Sequence, residues 1–177
     1  MTESTFKFCP LCKNSLRRDK VDGRERSVCR KCGWIDYENP LPVAVCAAIN
    51  DHGKILITKR NLEPGYNKWA LPGGFVETDE TPEKACLREL EEETGVKGEI
   101  DRLIGVYVQK TKEYGSILII GYVVNVLKER ISLSDELKEA IFVNRKAIPY
   151  IPFLSHRKMI EEAFRKTKSV KTKLKKD

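Results

Sequence analysis

Two cysteine pairs, Cys9-Pro-Leu-Cys12 and Cys29-Arg-Lys-Cys32, lie sixteen residues apart and set the tightest limit on how the start of this chain can fold. The two-residue spacing within each pair lets two thiolates converge on one tetrahedral ion. The gap between the pairs suits a β-hairpin that brings the two corners together. Residues 1–38 are poor in aliphatic side chains and rich in Cys, Arg and Lys, so apolar burial cannot hold them and a staple is required. Zn²⁺ is the expected ion, being redox-silent and content with four soft ligands. A four-cysteine site has no open coordination position, so its default role is structural. Gly33 follows the second pair where the chain must turn tightly. The competing use is a nucleic-acid-binding module. Nine Lys and Arg face six acids in this segment, but four thiolates around one Zn²⁺ subtract two charges. Cys46 and Cys86 stand alone and read as small buried side chains.

The 177 residues allow one ordinary domain with a small accessory module. We expect a zinc ribbon over 1–38, a larger α/β domain over 39–166, and a basic disordered tail over 167–177. Residues 165–177 hold seven Lys and Arg against Asp177 alone, which accounts for +6 of the formal charge of +7. Such a terminal run is a solvated tail that also attracts polyanions without specificity. The longest apolar run, 117–126, is too short to span a bilayer, and nothing at the N-terminus resembles a secretory core. The expectation is a cytoplasmic protein without membrane contact.

Asn39-Pro40-Leu41-Pro42 reads as a linker. Residues 43–49 and 55–58 read as a strand pair joined by Asn50-Asp51-His52-Gly53. Residues 61–74 look like loop. Residues 82–93 read as a helix, with Thr81 as N-cap, Pro82 at the first helical position and Gly95 just past the end. Further strands are expected over 98–108 and 116–126, and a polar segment from Glu136 leads into Ile141-Phe142-Val143. A last helix is expected from Pro152 to about Lys166, burying Met159, Ala163, Ile160 and Phe164 on one face. Mixed strands and helices indicate an α/β domain.

The helix over 82–93 breaks local rules. At about 100° per residue, Cys86, Leu87 and Leu90 share one arc that can pack on a sheet, and Glu89, Glu92 and Glu93 share the neighbouring arc. Glu89 and Glu93 repel at i, i+4 by a few tenths of a kcal/mol. Glu91, Glu92 and Glu93 sit where the helix dipole disfavours anions by ~0.3–1 kcal/mol each. A divalent cation would reverse both penalties, and carboxylate oxygens suit Mg²⁺ or Mn²⁺. Arg88 can orient carboxylates through a forked pair or form a simple ion pair with Glu92. Gly73-Gly74 lets the backbone approach closely.

The pattern Gly74-x5-Glu80-x7-Arg88-Glu89-Leu90-x-Glu92-Glu93-x-Gly95-Val96 resembles the Nudix box at every defined position. The resemblance implies an α/β/α sandwich built on a mixed β-sheet, and a Mg²⁺-assisted hydrolysis of a nucleoside diphosphate linked to another moiety. It implies that Glu89, Glu92 and Glu93 are metal ligands, that one of them helps deprotonate water, that Arg88 holds them, and that Gly73 and Gly74 shape the adjoining loop. The ribbon and the segment from Glu136 through Pro152 resemble the NADH pyrophosphatase branch, which implies a further ligand at Glu136, with Glu139 the alternative. The chain departs from that branch after the box. Gln109-Lys-Thr-Lys-Glu-Tyr-Gly-Ser116 stands where the branch carries Ser-Gln-Pro-Trp-Pro-Phe-Pro-x-Ser, so NADH specificity does not carry over. The proline that marks many ADP-ribose hydrolases about sixteen residues beyond the box is also missing. Tyr114 is compatible with a diadenosine-polyphosphate pattern or with a strand-end aromatic.

The expected substrate is a nucleotide such as ADP-ribose or a dinucleotide, with its base stacked on Phe75, Tyr66 or Tyr114. The competing classes are a nucleoside triphosphate pyrophosphohydrolase and a non-catalytic regulator that binds nucleotide or nucleic acid through the ribbon and tail. A homodimer is also expected from relatives of this shape.

Overall fold

The computed structural model describes residues 6–165, so the tail expected over 167–177 lies outside the described residues. The chain forms two compact units. One takes in the chain up to Leu41 together with Lys110–Ile117; the other takes in Pro42–Gln109 and the chain from Leu118 onward.

In the first unit the spacer between the cysteine pairs folds as a hairpin of β1 (Arg17–Val21) and β2 (Arg24–Val28), with β3 (Ile35–Asp36) beside β2. Asp22 and Gly23 close the hairpin with φ of 50° and 77°, the left-handed pair that matches strand twist in a two-residue turn. Each cysteine pair closes a turn of the same design. Lys13 donates its backbone N–H to the Cys9 carbonyl at 2.9 Å, and Gly33 donates to the Cys29 carbonyl at 2.9 Å. Both residues have positive φ, so the turn expected at Gly33 has its counterpart at Lys13. The apolar content is small: Phe6 packs edge-on against Trp34.

The second unit is built on a seven-stranded mixed sheet. Its main path runs β10 (Leu137–Val143), β5 (Ile55–Arg60), β4 (Leu41–Ile49), β9 (Gly115–Lys128) and β8 (Lys97–Thr111). The expected β4–β5 turn is present. The Asn50 side-chain oxygen accepts the N–H groups of His52 and Lys54, and Gly53 takes φ 68°. Strand alternation divides the side chains between two faces. Ala44, Cys46 and Ala48 of β4 join Tyr122, Val124 and Val126 of β9 in one core cluster with Ala85, Cys86 and Leu90 of α1 (Pro82–Thr94). Small residues on β4 let the helix approach the sheet closely, and burying Leu90 contributes roughly 2 kcal/mol. On the opposite face, Gly121 of β9 receives Met159 of α2 (Leu154–Ala163), whose thioether fills the space a Cβ would need. The sheet thus lies between two helices, the α/β/α arrangement expected. Cys46 and Cys86 are fully buried, as expected of inert thiols. Among the described residues no helix is long and apolar enough to cross a membrane.

Three expectations need correction. The stretch 61–74 is not all loop: β6 (Trp69–Ala70) pairs with β5, and β7 (Gly73–Phe75) pairs with β4. The polar segment from Glu136 is strand from Leu137 onward. Helix α2 starts at Leu154, because Pro152 and Phe153 keep extended backbone and Phe153 offers no side-chain cap.

Helix α2 also holds the segment that leads into β7. His156 Nδ1 accepts the Leu71 backbone N–H at 3.0 Å. Burial, helped by the charge of Arg60, pushes the imidazole down to about 4. A folded value below the ordinary one means that this contribution to stability is present above about pH 6.5 and is lost as pH falls towards 4. His156→Ala is expected to flatten that part of the acid dependence. At neutral pH it should cost about 1–3 kcal/mol by leaving the Leu71 N–H without an acceptor. Urea unfolding of both proteins at pH 7 and about pH 4.5 checks this.

Candidate active site

Helix α1 is fixed at both ends by local chemistry. The Thr81 hydroxyl accepts the Lys84 N–H, Pro82 occupies the first turn, and Gly95 caps the C-terminus at φ 70° with its N–H on the Glu91 carbonyl. Between these caps, Arg88 uses all five of its N–H donors. Nε and Nη2 fork onto the two oxygens of Glu80 at 3.1 and 2.6 Å. Nη2 also donates to the Phe75 carbonyl at 3.0 Å. Nη1 bridges Glu89 Oε1 at 2.8 Å and Glu92 Oε2 at 2.9 Å. Glu80 is lowered from the usual carboxylate range, chiefly by Arg88 and then by the Glu77 N–H. The expected orienting role of Arg88 and the simple Glu92 ion pair therefore coexist.

The strand before the helix is shaped around these groups. Gly73 has φ 151°, and a Cβ there would collide with the Ala44 carbonyl of the neighbouring strand. A Cβ on Gly74 would collide with the Glu89 carboxylate. The side-chain-free Gly73-Gly74 backbone thus lies directly against the acidic helix. Phe75, half-buried, contributes its carbonyl to Arg88.

The three box glutamates share an arc of the helix but sit at different depths. Glu93 is only 6% exposed, and its carboxylate accepts one hydrogen bond among the described residues, from the Gly73 N–H at 3.3 Å. Burial first, then the neighbouring Glu89 charge and that of Glu136, push it up to about 8. Glu89 is half-buried and also raised, by desolvation against the pull of Arg88, with Glu92 and Glu136 adding repulsion. Glu92 lies at the exposed rim. Glu136, just before β10, is brought near Glu89 and Glu93 by the pairing of β10 with β5, with its carbonyl accepting the Asn61 N–H at 2.7 Å. Glu139 is instead tied to Lys59 at 2.7 Å. Of the two alternatives, Glu136 is the one whose charge reaches the buried carboxylates. Tyr114 sits at the tip of the β8–β9 hairpin and belongs to the first unit, whereas the glycines, Phe75, Arg88 and the glutamates belong to the second.

Two participants lacked a role in the sequence reading. Glu80 was visible only as a fixed position, and its partner Arg88 lies eight residues further on. Arg60, at the end of β5 opposite Leu137, directs positive charge at Glu93 and His156. No local pattern marks it.

Arg88 takes one oxygen of Glu89 and one of Glu92, and Gly73 takes one of Glu93. The second oxygen of each carboxylate has no partner among the described residues. A set of oxygen donors with excess negative charge fits Mg²⁺ or Mn²⁺. In the first unit, the sulfurs of Cys9, Cys12, Cys29 and Cys32 all lie within 4.8 Å of one another. Among the described residues this is the one cluster gathered so tightly; the glutamates are more loosely arrayed. Cys29 is pulled down to about 6, chiefly by the Cys32 backbone N–H. The sulfur set fits a tetrahedral thiophilic ion.

Residues 39–163 match the NUDIX domain family, and residues 7–38 match the zinc-ribbon family described as Nudix N-terminal. An ADP-ribose pyrophosphatase of Methanocaldococcus jannaschii is 37% identical over 124 residues, covering 70% of this chain and 73% of that protein. A crystal structure of a NUDIX hydrolase from Nitrosomonas europaea superposes with a TM-score of 0.76 at 29% identity, covering 89% of this chain and 92% of the other. The NUDIX domain of Shewanella oneidensis NrtR, solved with ADP ribose, shares the fold with a TM-score of 0.62 at 21% identity, over 71% of this chain and 86% of the other.

The raised Glu93 carboxyl predicts how metal and pH act together. Its folded value lies above its unfolded one, so stability falls as pH rises from about 4.5 through 8 unless a cation compensates. Added Mg²⁺ should therefore raise Tm more at about pH 8.5 than at about pH 5.5, and Glu93→Gln should remove most of that difference. Thermal unfolding with and without Mg²⁺ reads both; an identical Mg²⁺ response in the two proteins would count against a metal at this carboxylate.

Proposed function

We propose that this chain, which belongs to the Nudix hydrolase family, cleaves the pyrophosphate bond of a nucleoside diphosphate linked to a second moiety, with ADP-ribose-like compounds as its substrate class. The observation that carries the reading is a buried Glu93 carboxylate under the Gly73 N–H, on one helix arc with Glu89 and Glu92, which Arg88 holds in place. The similarity to an ADP-ribose pyrophosphatase over most of the domain supports the substrate class.

In this reading Glu89, Glu93 and Glu136 hold Mg²⁺ or Mn²⁺ from the helix and from the start of β10, and Glu92 contributes at the rim. When bound, such an ion neutralises the diphosphate and makes water a better nucleophile. Arg88 fixes the orientation of Glu89 and Glu92, so their free oxygens need no reordering when substrate arrives. The Gly73-Gly74 backbone lets the strand lie directly against the Glu89 carboxylate, with no Cβ in between. Water attacks one phosphorus, the bridging P–O bond breaks, and its electron pair leaves with the other phosphate. Glu89 or Glu93 takes the proton of the attacking water, a task suited to carboxyls held above their usual range. Phe75 or Tyr66, both in the second unit, stacks on the base. The four cysteines hold Zn²⁺ in a structural role. Six free thiols fit a reducing compartment such as the cytoplasm.

A screen of ADP-ribose, NADH, diadenosine polyphosphates, FAD and nucleoside triphosphates with Mg²⁺ tests the assignment. ADP-ribose is expected to give AMP and ribose 5-phosphate, and Glu93→Gln should lower kcat at least 100-fold with the fold retained, in line with the loss of a general base. Release of inorganic pyrophosphate from triphosphates as the preferred reaction would replace this reading with the pool-cleansing one.

A further inference from the structure

Charge in the first unit is segregated. The turns that carry the cysteines, with the residues beside them, hold Lys7, Lys13, Arg30 and Lys31 and no carboxylate. Among the described residues the acids of the ribbon stand elsewhere in the sequence: Asp19, Asp22 and Glu25 on the β1–β2 hairpin, Asp36 and Glu38 at and after β3. Asp19 is engaged by Arg30 and Glu38 by Arg18. Lys7, Lys13 and Lys31 are exposed and form no ion pair among the described residues. Four thiolates on one Zn²⁺ offset two of the four cations and Asp19 a third through Arg30, which leaves this end with a net charge of about +1.

The same end exposes apolar surface that the ribbon does not need for folding. Phe8 is 62% exposed between Lys7 and the first cysteine, and Leu11 is 73% exposed at the tip of the first turn. Phe8 is held through its backbone, which bridges to Ser15, so its ring is not what fixes the chain there. An aromatic ring left in water next to Lys7, on a ribbon end that also carries Lys13 and Lys31, suits stacking of an unpaired base while cations take the neighbouring phosphates. Duplex phosphates would use the lysines but not the ring, and an acidic polypeptide would leave the ring solvated.

We infer that the cysteine-bearing end of the ribbon, through Lys7, Phe8, Lys13 and Lys31, binds single-stranded nucleic acid. These residues belong to the first unit and the carboxylate helix to the second, and the inference does not depend on which nucleotide is hydrolysed.

Fluorescence anisotropy of the zinc-loaded full chain with a labelled oligouridylate, at about 50 and 200 mM salt, tests it. Phe8→Ala should weaken binding roughly tenfold, and Phe8→Trp should keep it. The triple variant Lys7→Ala, Lys13→Ala, Lys31→Ala should reduce the salt slope by about 2, at roughly 0.7 per phosphate contact on a single strand. Zinc content and nucleotide hydrolysis should stay unchanged in all of them, which separates lost binding from lost folding. The basic C-terminal segment is kept in every variant, so affinity that survives both sets of substitutions belongs to it and overturns the inference. Equal affinity for a duplex of the same length, or no measurable binding at the lower salt, overturns it as well.

Discussion

The Arg88 guanidinium is the contact on which the site depends. Its five donors tie together a loop carboxylate (Glu80), a strand carbonyl (Phe75) and two helix carboxylates (Glu89 and Glu92). A lysine could not do this, because its ammonium is a single point with three donors, whereas the fork grips Glu80 at two oxygens and still reaches in two other directions. The arrangement also relieves the charge problem of α1. Repulsion between neighbouring glutamates and their unfavourable position near the helix C-terminus are offset by one cation shared among three carboxylates. Of Glu89, Glu92 and Glu93, only Glu93 lies outside its reach, and burial pushes that carboxyl up most.

Much of this was legible in the sequence because its signals are local. Thr81, Pro82 and Gly95 bracket α1 by capping chemistry that acts within one turn, and the helix ends where they place it. The ribbon is readable for the same reason: ligand spacing is a property of the chain itself. The stretch 61–74 resisted reading because strands of two and three residues carry no periodicity. β6 and β7 exist through their pairing with β5 and β4, and nothing in Trp69-Ala70 or Gly73-Gly74-Phe75 announces those partners.

Depth was the other illegible quantity. A helical projection puts Glu89, Glu92 and Glu93 in one arc, yet the fold buries Glu93 under the Gly73 backbone and leaves Glu92 in solvent. The difference arises from what covers the helix, and β7 covers only one edge of that arc. Arg60, Glu136 and His156 reach the same neighbourhood through strand pairing and helix packing between distant parts of the chain.

Burying a carboxyl with a single backbone donor costs stability unless the group stays protonated or acquires a cation. Glu93 therefore couples folding to the site: below its raised value it is a neutral core residue, and above it the fold favours whatever cation binds there. Arg60 limits that cost by directing charge at Glu93 from β5, but it forms no hydrogen bond to it, so the negative potential is softened and not cancelled. A direct Arg60–Glu93 ion pair would make the resting protein more comfortable and leave a cation nothing to neutralise. The absence of such a pair keeps the helix poised for a divalent ion, with Arg88 supplying the rigidity that the glutamates cannot supply for one another.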